Sequence, residues 1–235
     1  MSSGTRYELH IANKNYSSWS LRPWVLMKTL GIPFTERQWV FRPEGNHGRF
    51  RSFSPSGRVP CLHDGVTVVW DSLAIVEYLA ERHAGVWPQQ DAARVWARCA
   101  AAEMHSGFSA LRNQCSMSCG VRVRLHALSP ALAADVQRLD ELWAEGIGRF
   151  GGPFLAGADF GAVDAFFAPV AFRVQSHALP LGPVASAYAA RLLALPAMQQ
   201  WYRDALAEPW REAAHDEEVR QTGEVTADFR APAVQ

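Results

Sequence analysis

A change of hydrophobic pattern near residues 85–90 divides this chain into two parts that differ in architecture. Before it, short strand-like and helix-like segments alternate, whereas the long Ala- and Leu-rich segments after it have helical periodicity. A length of 235 residues accommodates one large domain or two small ones. The pattern predicts an α/β domain over 1–85, an all-helical domain over 91–215 and a polar tail over 216–235.

Short periodic segments in the first part predict a small sheet with helices. Alternation of apolar and polar residues predicts a strand over 7–11, and Pro23 in a first turn predicts a helix over 18–30. Asp64-Gly65, between two apolar runs, is the signal of a two-residue hairpin turn. The other predicted elements are strands over 35–40, 58–63 and 66–70, a loop over 42–57 and a helix over 72–83.

Five long segments of helical period follow in the second part. The first is rich in alanine, so it can pack closely against a copy of itself. The predicted helices cover about 91–118, 129–149, 162–178, 184–194 and 197–207.

Charge and composition exclude some classes of partner. Lys and Arg number 23, as do Asp and Glu, so the chain lacks the basic excess that nucleic acids or anionic membranes attract. A small-molecule ligand is expected instead. Residues 1–6 are polar, and no later window approaches about 18 uninterrupted apolar residues, so we expect a cytoplasmic protein. The four cysteines lack zinc-site spacing, which predicts free thiols and no metal.

Three short motifs carry polar groups at the ends of predicted elements. Hydroxyls at Ser17 and Ser18 crowd a helix start, where unpaired N–H groups favour an anion. A cis peptide before Pro60 would leave the backbone of the preceding residue free for a peptide-like ligand. The helix start at Ser72 can hold a carboxylate beside Asp71. Taken singly, each motif is better explained by a helix cap or an ordinary edge proline.

Together the motifs resemble those of the glutathione S-transferases. The stretch Tyr-Ser-Ser-Trp-Ser-Leu-Arg over 16–22, the pair Val59-Pro60 and the stretch Asp-Ser-Leu-Ala-Ile-Val-Glu-Tyr-Leu over 71–79 are most similar to the zeta-like branch related to maleylacetoacetate isomerase. The resemblance covers about residues 7–210. It implies a thioredoxin-like first domain, an all-helical second domain, a homodimer, and glutathione as co-substrate for attack on a small electrophile.

The resemblance also implies roles for residues of the first domain. Ser17 matches the serine that stabilises the glutathione thiolate, and Ser18 is the near alternative. Trp19 stands where zeta enzymes carry cysteine, which argues against thiol-disulfide chemistry. His47 and Arg49 are candidates for the glycyl carboxylate. The glutathione-binding residues that it implies are Ser17, Arg22, Val59, Pro60, Asp71 and Ser72.

In the second domain, the resemblance implies a wall for the electrophile. Residues 157–164 look like the family's helix-capping segment, with Gly161 where Ser or Thr is usual. Isomerases are expected to hold a substrate carboxylate with an arginine at the position of Ser176, but the arginine on this helix is Arg173, one turn earlier. We therefore expect weak isomerase activity and a less acidic electrophile. The implied pocket residues are Met104, Phe108, Arg112, Asn113 and Arg173.

Two other functions remain open at this stage. One is maleylacetoacetate isomerase itself, which would use the same thiolate. The other is a non-catalytic interaction module, because a fold does not determine a function.

Overall fold

A thioredoxin-like domain forms the N-terminal part of the chain, as predicted. The computed structural model describes residues 7–233, so the start of the predicted first domain and the end of the predicted tail lie outside this range. A mixed four-stranded sheet has the order β2-β1-β3-β4, in which β1 is parallel to β2 and antiparallel to β3. Its elements are β1 (Tyr7–Ile11), α1 (Ser18–Thr29), β2 (Phe34–Gln38), α2 (His47–Phe50), β3 (Cys61–Asp64), β4 (Thr67–Trp70) and α3 (Ser72–Ala80).

Helix α1 lies between the sheet and the helical part of the chain. Its side chains are therefore buried on almost every side, including Leu21, Trp24 and Leu26. An amphipathic surface helix has one apolar stripe, whereas a helix buried all round is apolar on every face. Burial of α1 fixes its first turn at the boundary between the two parts.

The predicted hairpin forms, with its turn one residue later than expected. Asp64 pairs with Thr67, which leaves Gly65 and Val66 as the two turn residues. Gly65 has φ +59°, as the first central position of a type II′ turn requires. Asp64 remains in the strand, where its carboxylate accepts a hydrogen bond from the Tyr78 hydroxyl at 2.7 Å.

The C-terminal part packs its helices around a buried central helix, α7. All but two of the residues of α7 are buried, and α7 contacts α1 and α4. No helix within residues 7–233 has the length and hydropathy that a membrane crossing requires. The elements are α4 (Asp91–Ser106), α5 (Ser109–Gln114), β5 (Val121–Leu125), α6 (Pro130–Phe150), α7 (Ala162–His177), α8 (Pro183–Ala194), α9 (Pro196–Ala207), α10 (Ala213–Thr222) and β6 (Gly223–Asp228).

The long helix predicted over 91–118 is wrong in its second half. Gly107 is extended and Phe108 is left-handed at φ +57°, so the chain turns between α4 and α5. The Arg112 guanidinium donates to the carbonyl oxygens of Gly107 and Met104 at this turn. Helical periodicity continues across the break, which is why the pattern does not reveal it.

The C-terminal segment differs from the polar surface tail that composition predicts. It forms α10 and then β6, which pairs antiparallel with β5, so the second part is not entirely helical. Arg230 donates to the Asp216 carboxylate at 2.7 Å and to the Tyr16 hydroxyl at 2.9 Å. The polar residues of the segment thus have partners within the protein, which composition alone does not show.

The predicted capping segment before α7 is confirmed. The buried Asp164 carboxylate accepts from the N–H of Gly161 at 2.9 Å, from the N–H of Leu155 at 3.0 Å and from the Tyr188 hydroxyl at 2.8 Å. Gly161 has no side chain for the reciprocal cap, so Asp164 alone holds the start of the helix.

Candidate active site

A cavity of about 530 Å³ lies between the thioredoxin-like domain and the helical part. A second cavity of about 390 Å³ continues from it and shares Trp19, Arg58 and Val59 with the first. Pro60, Asp71 and Ser72 line the second cavity. The two cavities together form one groove along the ends of α1, β3 and α3. The first cavity is lined by Ser17, Ser18, Trp19, Val59, Arg112, Asn113, Ser116, Met117, Arg173, His215 and Glu218, among others.

Both candidate serines line the first cavity, at the N-terminus of α1. The Ser17 hydroxyl donates to the Ser20 oxygen at 2.7 Å, and Ser20 also accepts from the N–H of Ala12 at 3.3 Å. The Ser18 side chain makes no hydrogen bond to any other residue in the range 7–233. Ser18 is therefore free to donate, whereas Ser17 must turn away from Ser20 to do so.

Residues far along the chain anchor the loop that carries these serines. Glu208 accepts hydrogen bonds from the N–H groups of Lys14 at 2.6 Å and Asn15 at 3.3 Å. Burial raises the pKa of Glu208 to about 7, although the two N–H groups favour its ionised form. The Asn15 side chain donates to the Ser118 hydroxyl at 3.0 Å. Sequence reasoning missed Glu208, because nothing near it indicates a partner so distant in the chain.

The Val59-Pro60 peptide bond is cis, which confirms the prediction. Val59 lies ahead of the pairing between β3 and β4, whose register begins at Cys61. It lines both cavities at the point where they join. Its backbone is thus placed beside the groove, outside the ladder of the sheet.

Asp71 has a strained backbone at the start of α3, with φ +74° and ψ 137°. One oxygen of its carboxylate accepts from the N–H of Leu73 at 2.7 Å, and the other lies 3.5 Å from His105 Nε2. Ser72 is buried, and its hydroxyl accepts from the Arg22 guanidinium at 3.3 Å. The sharp turn presents Asp71 and the start of α3 to the second cavity.

Arg22 does not line either cavity, contrary to the role as a ligand contact that the resemblance implies. Its guanidinium lies behind the wall, 4.1 Å from the centre of the Trp19 ring and 4.7 Å from that of Phe166. Through its bond to Ser72 it supports the groove from behind.

The residues predicted for the electrophile wall lie in two places. Arg112, Asn113 and Arg173 line the first cavity, whereas Met104 and Phe108 do not and belong to the hydrophobic core. Both of these apolar side chains turn inward near the break between α4 and α5. The continuous helix assumed from the sequence would have placed them on the wall.

The two arginines of the wall, the buried Arg173 and the half-buried Arg112, have no carboxylate partner among residues 7–233. Arg173 donates from Nε to the Cys115 carbonyl at 2.8 Å, and Arg112 from Nε to the Gly107 carbonyl at 3.0 Å. Within residues 7–233 neither forms an ion pair. Burial, and then the neighbouring Arg112 charge, lowers the pKa of Arg173 to about 10, so it stays charged at neutral pH. The acidic residue on the wall, Glu218, accepts from the Ser116 hydroxyl at 2.6 Å.

His47 and Arg49, predicted for the glycyl carboxylate, do not line the groove. Arg49 instead donates to the Val40 carbonyl at 3.1 Å. The basic residue at the junction of the two cavities is Arg58. Its position directly before Val59-Pro60 is the sequence signal that could have identified it as a residue of the groove.

The cysteines are unpaired, as predicted. Burial raises the pKa of Cys61 to about 11 and that of Cys115 to about 12, and it also raises the pKa of Cys119. Cys99 is exposed on α4. None of the four lines the groove, so a nucleophilic thiol there must come from a ligand.

Known proteins match the fold described above. Residues 16–82 match the family model for the glutathione S-transferase N-terminal domain. No curated protein matches the chain significantly.

Solved structures resemble the chain over most of its length. A glutathione transferase homologue from Burkholderia BGR1 with bound glutathione is 23% identical, with a TM-score of 0.63, covering 85% of this chain and 97% of that one. A theta class glutathione S-transferase from Xanthomonas axonopodis pv. citri with glutathione bound is 25% identical, with a TM-score of 0.62 and coverage of 85% and 98%. A tau class enzyme from mango is 15% identical, with a TM-score of 0.65 and coverage of 92% and 96%.

The chain therefore has the glutathione S-transferase fold. Its first domain matches the N-terminal domain model of that family. The comparisons do not distinguish the zeta-like branch, which stays a prediction.

Proposed function

We propose that this protein is a glutathione transferase that binds glutathione along the two-cavity groove and activates it as a thiolate. The second substrate is a small anionic electrophile, held by the arginine wall of the first cavity. One observation carries the proposal: the serines of the first domain and the unpaired arginines of the second line the same cavity.

Each part of glutathione finds a matching group in the groove. The γ-glutamyl carboxylate binds at the N-terminus of α3, where Ser72 begins the helix, and its amine binds Asp71. The cysteinyl backbone pairs with Val59, which lies outside the sheet ladder. Arg58, at the junction of the cavities, binds the glycyl carboxylate.

The thiol then lies at the start of α1. A hydroxyl that donates to sulfur favours thiolate over thiol, and the helix N-terminus adds a favourable partial charge. The thiolate is the nucleophile. Ser18 is free to donate, while Ser17 matches the family motif by position, so the choice between them is left to experiment.

The wall favours an anionic electrophile over the less acidic one expected from the sequence. A buried guanidinium without a carboxylate, as at Arg173, is costly, and a bound carboxylate offsets that cost. Arg173 lines the first cavity although it lies one turn before the position at which the resemblance expects the arginine. Ser176, at that position, donates to the Ser118 carbonyl at 2.8 Å and lines a different cavity.

A glutathione-dependent cis-trans isomerase is the second candidate. The presence of Arg173 on the cavity wall favours it, since an isomerase of this type requires a grip on a substrate carboxylate. Turnover of maleylacetoacetate that is lost in Arg173→Ala would select this candidate.

We expect replacement of the activating serine to lower turnover by about 10²-fold, because one donor to the developing charge on sulfur is lost. The measurement is the turnover of Ser17→Ala and Ser18→Ala with glutathione and an aryl halide acid. The exposed Ser186→Ala on α8 is the matched control and should keep full activity. The free energy of unfolding should change by no more than about 1 kcal/mol in each variant.

If turnover falls in only one of the two variants, the serine replaced in that variant is the activating residue. Full turnover in both variants and in the double variant would contradict activation by a hydroxyl. The homodimer stays a prediction, and a mass near 26.0 kDa by light scattering would contradict it.

A further inference from the structure

The C-terminal segment adds a histidine to the cavity that holds the serines. His215 lies in the first turn of α10 and lines the same wall as Arg112 and Arg173. Its ring stacks on Phe41, with centroids 5.7 Å apart and planes 16° from parallel. Tyr16 covers another side at a centroid distance of 5.2 Å. Two aromatic rings therefore fix the orientation of the imidazole.

A carboxylate holds one nitrogen of this ring. His215 Nδ1 lies 2.6 Å from Glu212 Oε2, and the same oxygen accepts from the backbone N–H of His215 at 2.7 Å. Burial alone would raise the pKa of Glu212, but these two N–H donors lower it. Among residues 7–233, the ring is hydrogen-bonded through Nδ1 and not through Nε2. A carboxylate that fixes Nδ1–H leaves Nε2 as the nitrogen that exchanges a proton.

We propose that His215, oriented by Glu212, is a general acid that protonates the product of thiolate addition to an activated alkene. This inference rests on the proposed function and deepens it. It names the substrate class as α,β-unsaturated carbonyl acids.

The step balances without any further reactant. The glutathione sulfur forms a bond to the β-carbon, the alkene π pair moves to the α-carbon and its carbonyl, and that carbon takes the proton from His215 Nε2. The neutral imidazole recovers a proton from water, which replaces the one that left the thiol on ionisation. Substitution on an aryl halide differs, because chloride leaves with the electron pair and needs no proton.

Several charged and titratable groups lie around His215. The Tyr16 hydroxyl, whose pKa burial raises to about 12, stays protonated in the working range. The charged or titratable groups that contact the ring or share its cavity are Tyr16, Arg58, Arg112, Arg173, Glu212 and Glu218. Asp216 and Arg230 bond to the Tyr16 hydroxyl behind it.

Two probes of equal charge separate the two reaction types. Acetylacrylate undergoes addition and chloronitrobenzoate undergoes substitution, and both carry the carboxylate that the arginine wall binds. We expect H215Q to lower turnover of acetylacrylate by about 10²-fold and to leave that of chloronitrobenzoate within about twofold. The alkaline limb of the pH profile for addition should disappear in H215Q. The turnover of acetylacrylate by E212Q should lie between that of H215Q and that of the wild type.

The control is H126Q, which changes an exposed histidine outside the cavity and should match the wild type with both probes. The proposal is overturned if H215Q loses turnover equally with both probes, or loses it with neither. It is also overturned if the wild type acts on chloronitrobenzoate alone. A wild type that neither binds glutathione nor uses either probe would instead overturn the proposed function.

Discussion

Asp164→Ala is expected to lower the free energy of unfolding by about 3–5 kcal/mol, the largest loss of stability for any single change considered. The carboxylate accepts from the N–H of Leu155, the N–H of Gly161 and the hydroxyl of Tyr188, and it is completely buried. Alanine leaves all three donors without an acceptor inside the protein. Each orphaned buried donor costs about 1–3 kcal/mol. Urea denaturation followed by circular dichroism measures the loss.

Two further variants make the test specific. Tyr188→Phe removes one donor and keeps the acceptor, so it should cost only about 1 kcal/mol. Asp159→Ala removes an exposed carboxylate just before α7 and should change the free energy of unfolding by less than about 0.5 kcal/mol. If Asp164→Ala behaves like Asp159→Ala, the capping role assigned to Asp164 is wrong.

Arg173→Met is expected to lower kcat/KM for chloronitrobenzoate by about 10²-fold, or about 3 kcal/mol of binding and transition-state energy. The reason is that Arg173 is a buried cation on the cavity wall without a carboxylate partner. The stability of the free protein should fall little, since burial of the unpaired charge is itself unfavourable.

The matched substrate is chloronitrobenzamide, which has the same shape and no charge. Its kcat/KM should change by less than about threefold in Arg173→Met, because no ion pair is lost. The exposed Arg149→Met is the control variant and should leave both substrates unaffected. Equal losses with acid and amide would show that Arg173 shapes the cavity without binding an anion.

Local signals predicted the thioredoxin-like domain and most of its residues that line the groove. The hairpin near Gly65 and the helix starts near Ser17 and Ser72 depend on neighbours in the sequence, so they can be predicted without a structure. The details differ, because the turn lies one residue later, the cap of α3 is Asp71 and not Ser72, and Ser17 makes no capping hydrogen bond. The cis bond before Pro60 and the capping aspartate at 164 followed from the resemblance together with local pattern.

Long-range pairings escaped the prediction. Glu208 holds the serine loop from the far end of the chain, and β6 pairs with β5 across about a hundred intervening residues. In both pairings, the sequence around one segment contains no signal of the segment that it contacts. His215 was missed for the same reason, because only the return of α10 brings it to the cavity.

The sequence also does not predict which way the residues of a buried helix face. Arg173 and Ser176 both donate to carbonyl oxygens of the 115–118 segment, yet they line different cavities. Since α7 is buried nearly all round, periodicity gives no polar face from which to assign either residue. The packing of the whole helical part decides the assignment.

Titration of the thiol of glutathione bound to the wild-type protein tests the central claim most directly. The ultraviolet absorbance of the thiolate, followed against pH, gives the pKa of the bound thiol. We expect a value below about 7.5, compared with about 8.5 for an ordinary cysteine thiol, and a return toward the ordinary value when the activating serine is replaced by alanine. Bound glutathione with an unshifted thiol pKa, or no binding of glutathione at all, would contradict the account.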